Sequence, residues 1–288
     1  MVIGTGVIFH AILDHEGTTM ANTLSTSSSG NSGHTLPTGP LARPDFARET
    51  RRGIPEVILA SAKSTSQVIA IAQAFLERSG RALISRLDEA MMEEVIAALP
   101  YAVPLRYPLA HALRLTQPDC TSRSTDGHVG IITAGTSDIP TAEEARFIAE
   151  AMGCRVTCIF DVGVAGVHRL FEPLEALIAA EVDAVVVAAG MDGALPSLVA
   201  GLVPVPVIGL PTPVGYGLGG GGEGALLAML QSCAPGLTLV NIGNGIGAGA
   251  FAGLIANRVA EARRHAPQPP ASLDEHHADA TPAEYSLE

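Results

Sequence analysis

Along this 288-residue chain, apolar and polar positions fall into a regular alternation from about residue 127 onward. Runs such as VGIITAG, DAVVVAAG and VPVIGLP have no polar face, and RVTCIFDVG and LTLVNIG complete a set of five strand-like segments. Between them lie TAEEARFIAEAMG, VHRLFEPLEALIAA, GALPSLVAGLV and GALLAMLQSC, with AFAGLIANRVAEAR last, all at helical apolar spacing. A strand apolar on both faces belongs in a sheet covered on both sides, and alternation with helices makes that sheet mainly parallel. The pattern predicts an α/β fold, a flavodoxin-like doubly wound parallel sheet over residues 127–264.

Upstream, EVILA, TSQVIAIAQAFLERSG, RALISRL and DEAMMEEVIAALP read as strand, helix, strand and helix. They predict a small α/β unit over 46–126, in which residues 101–126, rich in Pro, Arg and Ser, are expected to be a connector. Residues 1–45 include a Ser/Thr/Gly/Pro tract too polar to repay ordering, and are expected to be a disordered extension, with Met20 a second candidate start. Residues 265–288 are expected to be a disordered acidic tail.

The net charge of −12 argues against a partner that offers a phosphate backbone, so no nucleic acid is expected. The four cysteines form no CxxC pair, which argues against a zinc site or a disulfide framework and fits a reducing cytoplasm. The apolar opening MVIGTGVIFHAIL has no basic flank, and no run is long enough to span a membrane.

In a doubly wound sheet, ligands gather where strands end. There AGTSDIPTAEEA offers Thr136, Ser137 and Asp138, either as helix caps or as a site for phosphate and ribose; Asp138 also suits a magnesium ion. The loop GLPTPVGYGLGGGGEGA, with Gly217, Gly219 and Gly220, reads as a mobile lid or as a subunit contact, and it lacks the GK[ST] ending of a nucleoside-triphosphate loop. NIGNGIGAGA matches G-x-G-x-x-A formally, but it follows the last strand, where tight packing of helix on sheet or close approach to a ligand is the expected reading. Asp192, just after DAVVVAAG, is either a helix cap or a catalytic carboxylate. His168 is a helix residue or a ligand contact. Cys233 is a small buried hydrophobe or a nucleophile; it is expected to end its helix beside Ala-Pro-Gly, where a side chain can reach a cleft.

Taken in order, RRGIPEVILASAKSTSQVIAIAQ, GIITAGTSDIPTAEEA, DVGVAGVHRL, AAGMDGALPSLVAGLV, PTPVGYGLGGGGEGALLAMLQSCAPG and VNIGNGIGAG resemble the LarB family, pyridinium-3,5-biscarboxylic acid mononucleotide synthases. The resemblance covers about residues 46–264. It implies a PurE-like second domain whose GSxSD-type loop corresponds to Gly135 through Asp138. It also implies carboxylation of nicotinic acid adenine dinucleotide at pyridinium carbon 5, with cleavage of the phosphoanhydride to release AMP, the first step toward a nickel-pincer nucleotide cofactor. Magnesium, carbon dioxide or bicarbonate, and a homo-octamer assembled through the PurE-like domain are implied with it.

Cys233 matches the family cysteine that adds to carbon 4, and Asp192 stands where glutamate is expected, a carboxylate of shorter reach. Thiolate addition would turn an electron-poor ring into an enamine with a nucleophilic carbon 5, and Asp192 would then remove the proton there. A helix C-terminus does not acidify a thiol, so the cationic ring itself is expected to draw out the thiolate, leaving Cys233 slow to alkylate in the free enzyme. The phosphates are expected on helix N-termini, the glycine loop, and Arg51, Arg52 or Lys63. The rival readings are a PurE-type aminoimidazole ribonucleotide mutase, which uses histidine rather than cysteine, and a non-catalytic nucleotide-binding module.

Overall fold

The computed structural model describes residues 42–121 and 124–266; the expected extension up to residue 41 and the acidic tail from 267 lie outside them. Among the described residues, nine strands form two sheets, one of four strands and one of five.

The first lobe begins with α1 (Arg48–Arg52), β1 (Ile58–Leu59) and α2 (Thr65–Ser79). Ser64 caps α2 reciprocally with Gln67, and Gly80, at φ +71°, ends it in the left-handed conformation that glycine adopts without strain. The lobe continues through β2 (Arg81–Ser85) and α3 (Glu89–Ala98), whose first turn is capped by Asp88 accepting from the Met91 amide at 2.7 Å. Residues 101–126 are not simply a connector. They contain β3 (Val103–Tyr107) and β4 (Ala112–Thr116), an antiparallel hairpin that makes the strand order β1-β2-β4-β3. Pro104 obscures this strand, and it is tolerated because β3 lies at the edge of the sheet.

The second lobe alternates as expected: β5 (His128–Thr133), α4 (Ile139–Ala151), β6 (Arg155–Ile159), α5 (His168–Ala179) and β7 (Ala184–Ala189). Then come α6 (Leu195–Ala200), β8 (Val207–Pro211), α7 (Glu223–Leu230), β9 (Leu237–Leu239) and α8 (Gly245–His265). The sheet is parallel throughout in the order β6-β5-β7-β8-β9, the doubly wound arrangement, with its switch point between β5 and β7. Every residue of β5, β7 and β8 is buried. In β7, Ala184, Val186 and Ala188 face α4 and α8, while Val185, Val187 and Ala189 face α5, α6 and α7.

The lobes share a third apolar layer, in which Leu83, Tyr107 and Ala112 of the first sheet pack on Phe147, Ile148 and Ala250 of α4 and α8. Removing the fully buried Phe147 ring would cost about 3–5 kcal/mol. Helices α4 and α8 touch backbone to backbone: a Cβ on Gly249 would stand 2.2 Å from the Ala145 carbonyl oxygen. Gly245 and Gly249 therefore serve helix-on-helix contact, where helix-on-sheet packing or a ligand was expected, and Gly247 lies against the Asn244 cap of its own helix.

Candidate functional site

Because all five strands run the same way, the loops that follow them gather at one edge of the sheet. That edge holds Thr136, Ser137 and Asp138 after β5, His168 after β6, Asp192 after β7 and the glycine loop after β8. Thr136, Ser137, His168 and Asp192 are all exposed there.

Asp138 is buried, and both of its oxygens are engaged. Oδ1 accepts from the Thr212 hydroxyl at 2.5 Å and Oδ2 from the Gly135 amide at 2.8 Å. It thus ties the β5 loop to the end of β8 and sets the shape of the edge, leaving the adjacent Thr136 and Ser137 hydroxyls facing solvent. With both oxygens used, and with no cluster of three His, Cys, Asp or Glu able to hold an ion among the described residues, Asp138 does not fit the magnesium ligand expected of it.

Asp192 sits on a tight turn. Its Oδ1 accepts the Ala194 amide at 3.3 Å, Met191 before it has φ +49°, and the Met191 amide donates to the Val214 carbonyl at 2.9 Å. Gly190 is obligatory at this crossing, since a Cβ would lie 2.3 Å from the Val214 oxygen. The turn therefore presents the Asp192 carboxylate outward from a rigid base. In the glycine loop, Gly217 has φ +73° with open space around it, and Gly219 lies against Gly224, with Gly220 between Gly219 and Gly221. Tyr216 and Leu218 project almost entirely into solvent. An apolar loop tip of this kind suits contact with a ligand or another chain.

Beside this edge a cavity of about 560 Å³ opens between the lobes. Its walls carry two residues that the sequence reading missed. Arg86, at φ +60° just after β2, donates Nε to Glu144 Oε1 at 3.1 Å and Nη2 to the Gly243 carbonyl at 2.8 Å. Glu144, on α4, is more than nine-tenths buried, and its Oε2 lacks a hydrogen-bond partner. Burial raises the Glu144 acid above the ordinary carboxyl range, while Arg86 draws it back. The one signal in the sequence was an arginine directly after a strand and before the Asp88 cap.

Cys233, Arg51 and Lys63 do not join these groups. Helix α7 ends at Leu230, not at Cys233, because the Ser232 hydroxyl takes the Ala234 amide at 3.2 Å and Pro235 follows. Cys233 is exposed, in the loop that precedes β9, and that loop lies at the opposite edge of the sheet, where the Gly236 carbonyl meets the Val207 amide. Gly193, next to Asp192, abuts Ala225 in the first turn of α7. The rise from there to Leu230 alone is about 7.5 Å. Within one chain, then, the thiol and the Asp192 carboxylate do not meet. Arg51 is also remote: it pairs with Asp45 at 2.6 Å and lines a second cavity beside late α8, at the edge where β2 and β5 begin. Lys63 donates to the Leu59 carbonyl at 2.7 Å and closes the β1–α2 turn. Of the other thiols, burial pushes Cys154 up to about 11 and Cys158 up to about 12, so neither is a ready nucleophile.

Residues 37–115 match the family described as LarB/PurE-like N-terminal domain, and residues 128–277 match the AIR carboxylase family. An uncharacterized protein of Methanocaldococcus jannaschii is 42% identical over 216 residues, covering 74% of this chain and 82% of its own length. Among solved structures, Treponema denticola PurE is similar at 20% identity with a TM-score of 0.37, over 46% of this chain and 80% of that one.

Proposed function

The chain belongs to the LarB family, with a C-terminal PurE-like domain of carboxylase type, and from that premise we propose that it carboxylates nicotinic acid adenine dinucleotide and releases AMP. The observation that carries the reading is the single sheet edge on which the Asp138 loop, Asp192 and the glycine loop converge beside an inter-lobe cavity.

The chemistry balances as follows. The Cys233 thiolate bonds to carbon 4 of the pyridinium, and the ring electrons move to make carbon 5 nucleophilic. Carbon 5 forms a bond to carbon dioxide. Asp192 takes the proton from carbon 5, the carbon–sulfur bond breaks, and the thiolate leaves as the ring regains aromaticity. Water cleaves the phosphoanhydride, so dinucleotide, carbon dioxide and water become pyridinium-3,5-biscarboxylic acid mononucleotide and AMP. The product would then serve nickel-pincer nucleotide synthesis.

Since the thiol and Asp192 stand at opposite edges of one chain, the reading requires Cys233 from a neighbouring copy in a homo-oligomer, the octamer expected of the family. Helix α7 supports this: Leu227 and Leu230 are exposed on a helix with apolar residues all round, which calls for a cover. Magnesium is assigned to the substrate's phosphates rather than to Asp138. Thr136 and Ser137 would donate to the nicotinate ribosyl phosphate, and Gly217 through Gly220 would close over the ring, with His168 at the rim.

Incubation with the dinucleotide, carbon-13 bicarbonate and magnesium, followed by mass analysis, should yield AMP and a mononucleotide carrying one labelled carboxylate. Absence of both products refutes the reading. The AIR carboxylase match favours one alternative, a PurE-type ribonucleotide mutase, and full carboxylation of aminoimidazole ribonucleotide by Cys233→Ala would establish it. No helix among the described residues is long and apolar enough to cross a membrane.

A further inference from the structure

Of the seventeen Lys and Arg residues in this acidic chain, five line one cavity of about 400 Å³: Arg51 and Arg52 of α1, Arg81 of β2, and Arg258 and Arg264 of late α8. Three of them are engaged locally. Arg81 donates to the Ala151 carbonyl at 2.7 Å and pairs with Glu49, Arg258 pairs with Glu261 at 3.3 Å, and Arg51 pairs with Asp45. Arg52 and Arg264 are exposed, and neither pairs with a carboxylate among the described residues. One stands on the first lobe and one on the second, so the cleft is positive on both sides. Glu49 and Glu261 lie among the arginines, and a compact anion would meet like charge as well as opposite charge there. A ligand whose anions are spaced along an extended chain can take Arg52 and Arg264 and leave the paired carboxylates alone. Guanidinium groups, with their planar fork of donors, suit carboxylates in particular.

Such a ligand is written into the chain itself. Residues 267–288 hold Asp274, Glu275, Asp279, Glu284 and Glu288 and no Lys or Arg. They follow directly on α8, whose last turns line the cavity. Asp274 is ten residues past Arg264, a span of up to about 35 Å, and Arg258 lies only about 9 Å back along the helix, so the whole cavity is within reach.

We propose that this arginine cleft is the docking site of the chain's own acidic segment, residues 267–288, with its carboxylates on Arg52 and Arg264. Exposed ion pairs are individually weak. Tethering changes the balance, since a ligand attached next to its site acts at an effective concentration on the order of millimolar. The docked segment would join α1 of the first lobe to α8 of the second, away from the edge that carries the Asp138 loop and Asp192. The proposal is independent of the carboxylase reading.

The test is the rate at which phenylglyoxal modifies each arginine of the full-length chain, followed by peptide mapping. Wild type is compared with a variant whose five acids are neutralised (Asp274→Asn, Glu275→Gln, Asp279→Asn, Glu284→Gln and Glu288→Gln), all outside the described elements. Arg52 and Arg264 should react at least about threefold more slowly in wild type, and about 1 M salt, which cuts the screening length to about 3 Å, should abolish the difference. Arg169, paired with Asp161 at the other edge, should react alike in both chains. A labelled peptide of residues 267–288 should bind the neutralised variant at least about tenfold more tightly than wild type, where the attached segment competes. Adding Arg52→Ala and Arg264→Ala to the neutralised variant should abolish that binding. Equal modification rates in the two chains overturn the proposal and leave the arginines to offset the C-terminal ends of α1 and α8. Pyrophosphate that displaces the peptide at a lower concentration than unlabelled peptide does also overturns it, in favour of a site for small anions. Protection that falls away on dilution overturns it in favour of a second copy's segment.

Discussion

At the edge of the five-stranded sheet where strands begin, polar groups are spent on one another. Asp183 accepts the His128 amide at 2.8 Å and an Arg263 guanidinium, and the His128 ring meets Thr157 at 2.8 Å and the Ala180 carbonyl at 3.1 Å. Asn257 similarly joins Thr125, Cys154 and the Met152 carbonyl. At the edge where strands end, Asp138 pairs with Thr212 and Asp161 with Arg169, while Thr136, Ser137 and Asp192 stay exposed, Asp192 with one oxygen on the Ala194 amide. One edge closes the fold; the other holds polar groups in reserve for a ligand. Cys233, the nucleophile of the proposed chemistry, lies exposed on the closed side, and this is what makes a second copy necessary to that chemistry.

The largest effect is expected from that exception. Cys233→Ala should lower product formation by about a thousandfold or more with the fold intact by circular dichroism. Mixing it with Asp192→Ala and reassembling the oligomers should restore part of the activity, because some sites would pair an intact thiol with an intact carboxylate. If mixing restores none, a shared site is excluded.

Next in size are the two buried aspartates, one on each edge. Asp183→Ala leaves the His128 amide and Arg263 without a partner and should cost about 3 kcal/mol in urea unfolding, with activity per folded molecule unchanged. Asp138→Ala strands the Thr212 hydroxyl and the Gly135 amide and should cost about 2 kcal/mol, and here activity should fall as well. Equal activity losses in the two variants would erase the contrast between the edges.

The smallest effect concerns pH. Burial holds His128 below its ordinary value of 6.5, with Arg155 adding to the shift, so the unfolded chain takes up the proton first as pH falls. Stability is therefore full above pH 6.5 and is lost as pH drops toward the folded value. His128→Gln should flatten this slope, a change of under about 1 kcal/mol between pH 7.5 and 5.5. An unaltered slope would show that other groups govern acid sensitivity.

Much of this architecture could be read from one-dimensional pattern. Strands β5, β7 and β8 were legible because a strand covered on both faces has no polar side to confuse the reading, and α2 because Ser64 and Gly80 punctuate it. The hairpin of β3 and β4 was not legible. Pro104 and Arg106 on a largely exposed edge strand resemble loop chemistry, and what defines the strand is its partner, not its own residues. The polar loop after β5 was recognisable from Thr136 through Asp138, but only the contact with Thr212, 74 residues on, turns Asp138 from a candidate ligand into a strut.

The order of residues by itself determined the elements, the parallel sheet and the polar loops that end its strands, since each depends on periodicity and capping over a few neighbouring positions. Tertiary structure alone decided which groups meet. Arg86 finds Glu144 across 58 residues and the Gly243 carbonyl across 157, and the thiol of Cys233 is carried to the far edge by a helix that stops three residues early. Such pairings depend on how the lobes and layers pack against one another, and local spacing along the chain carries no record of that.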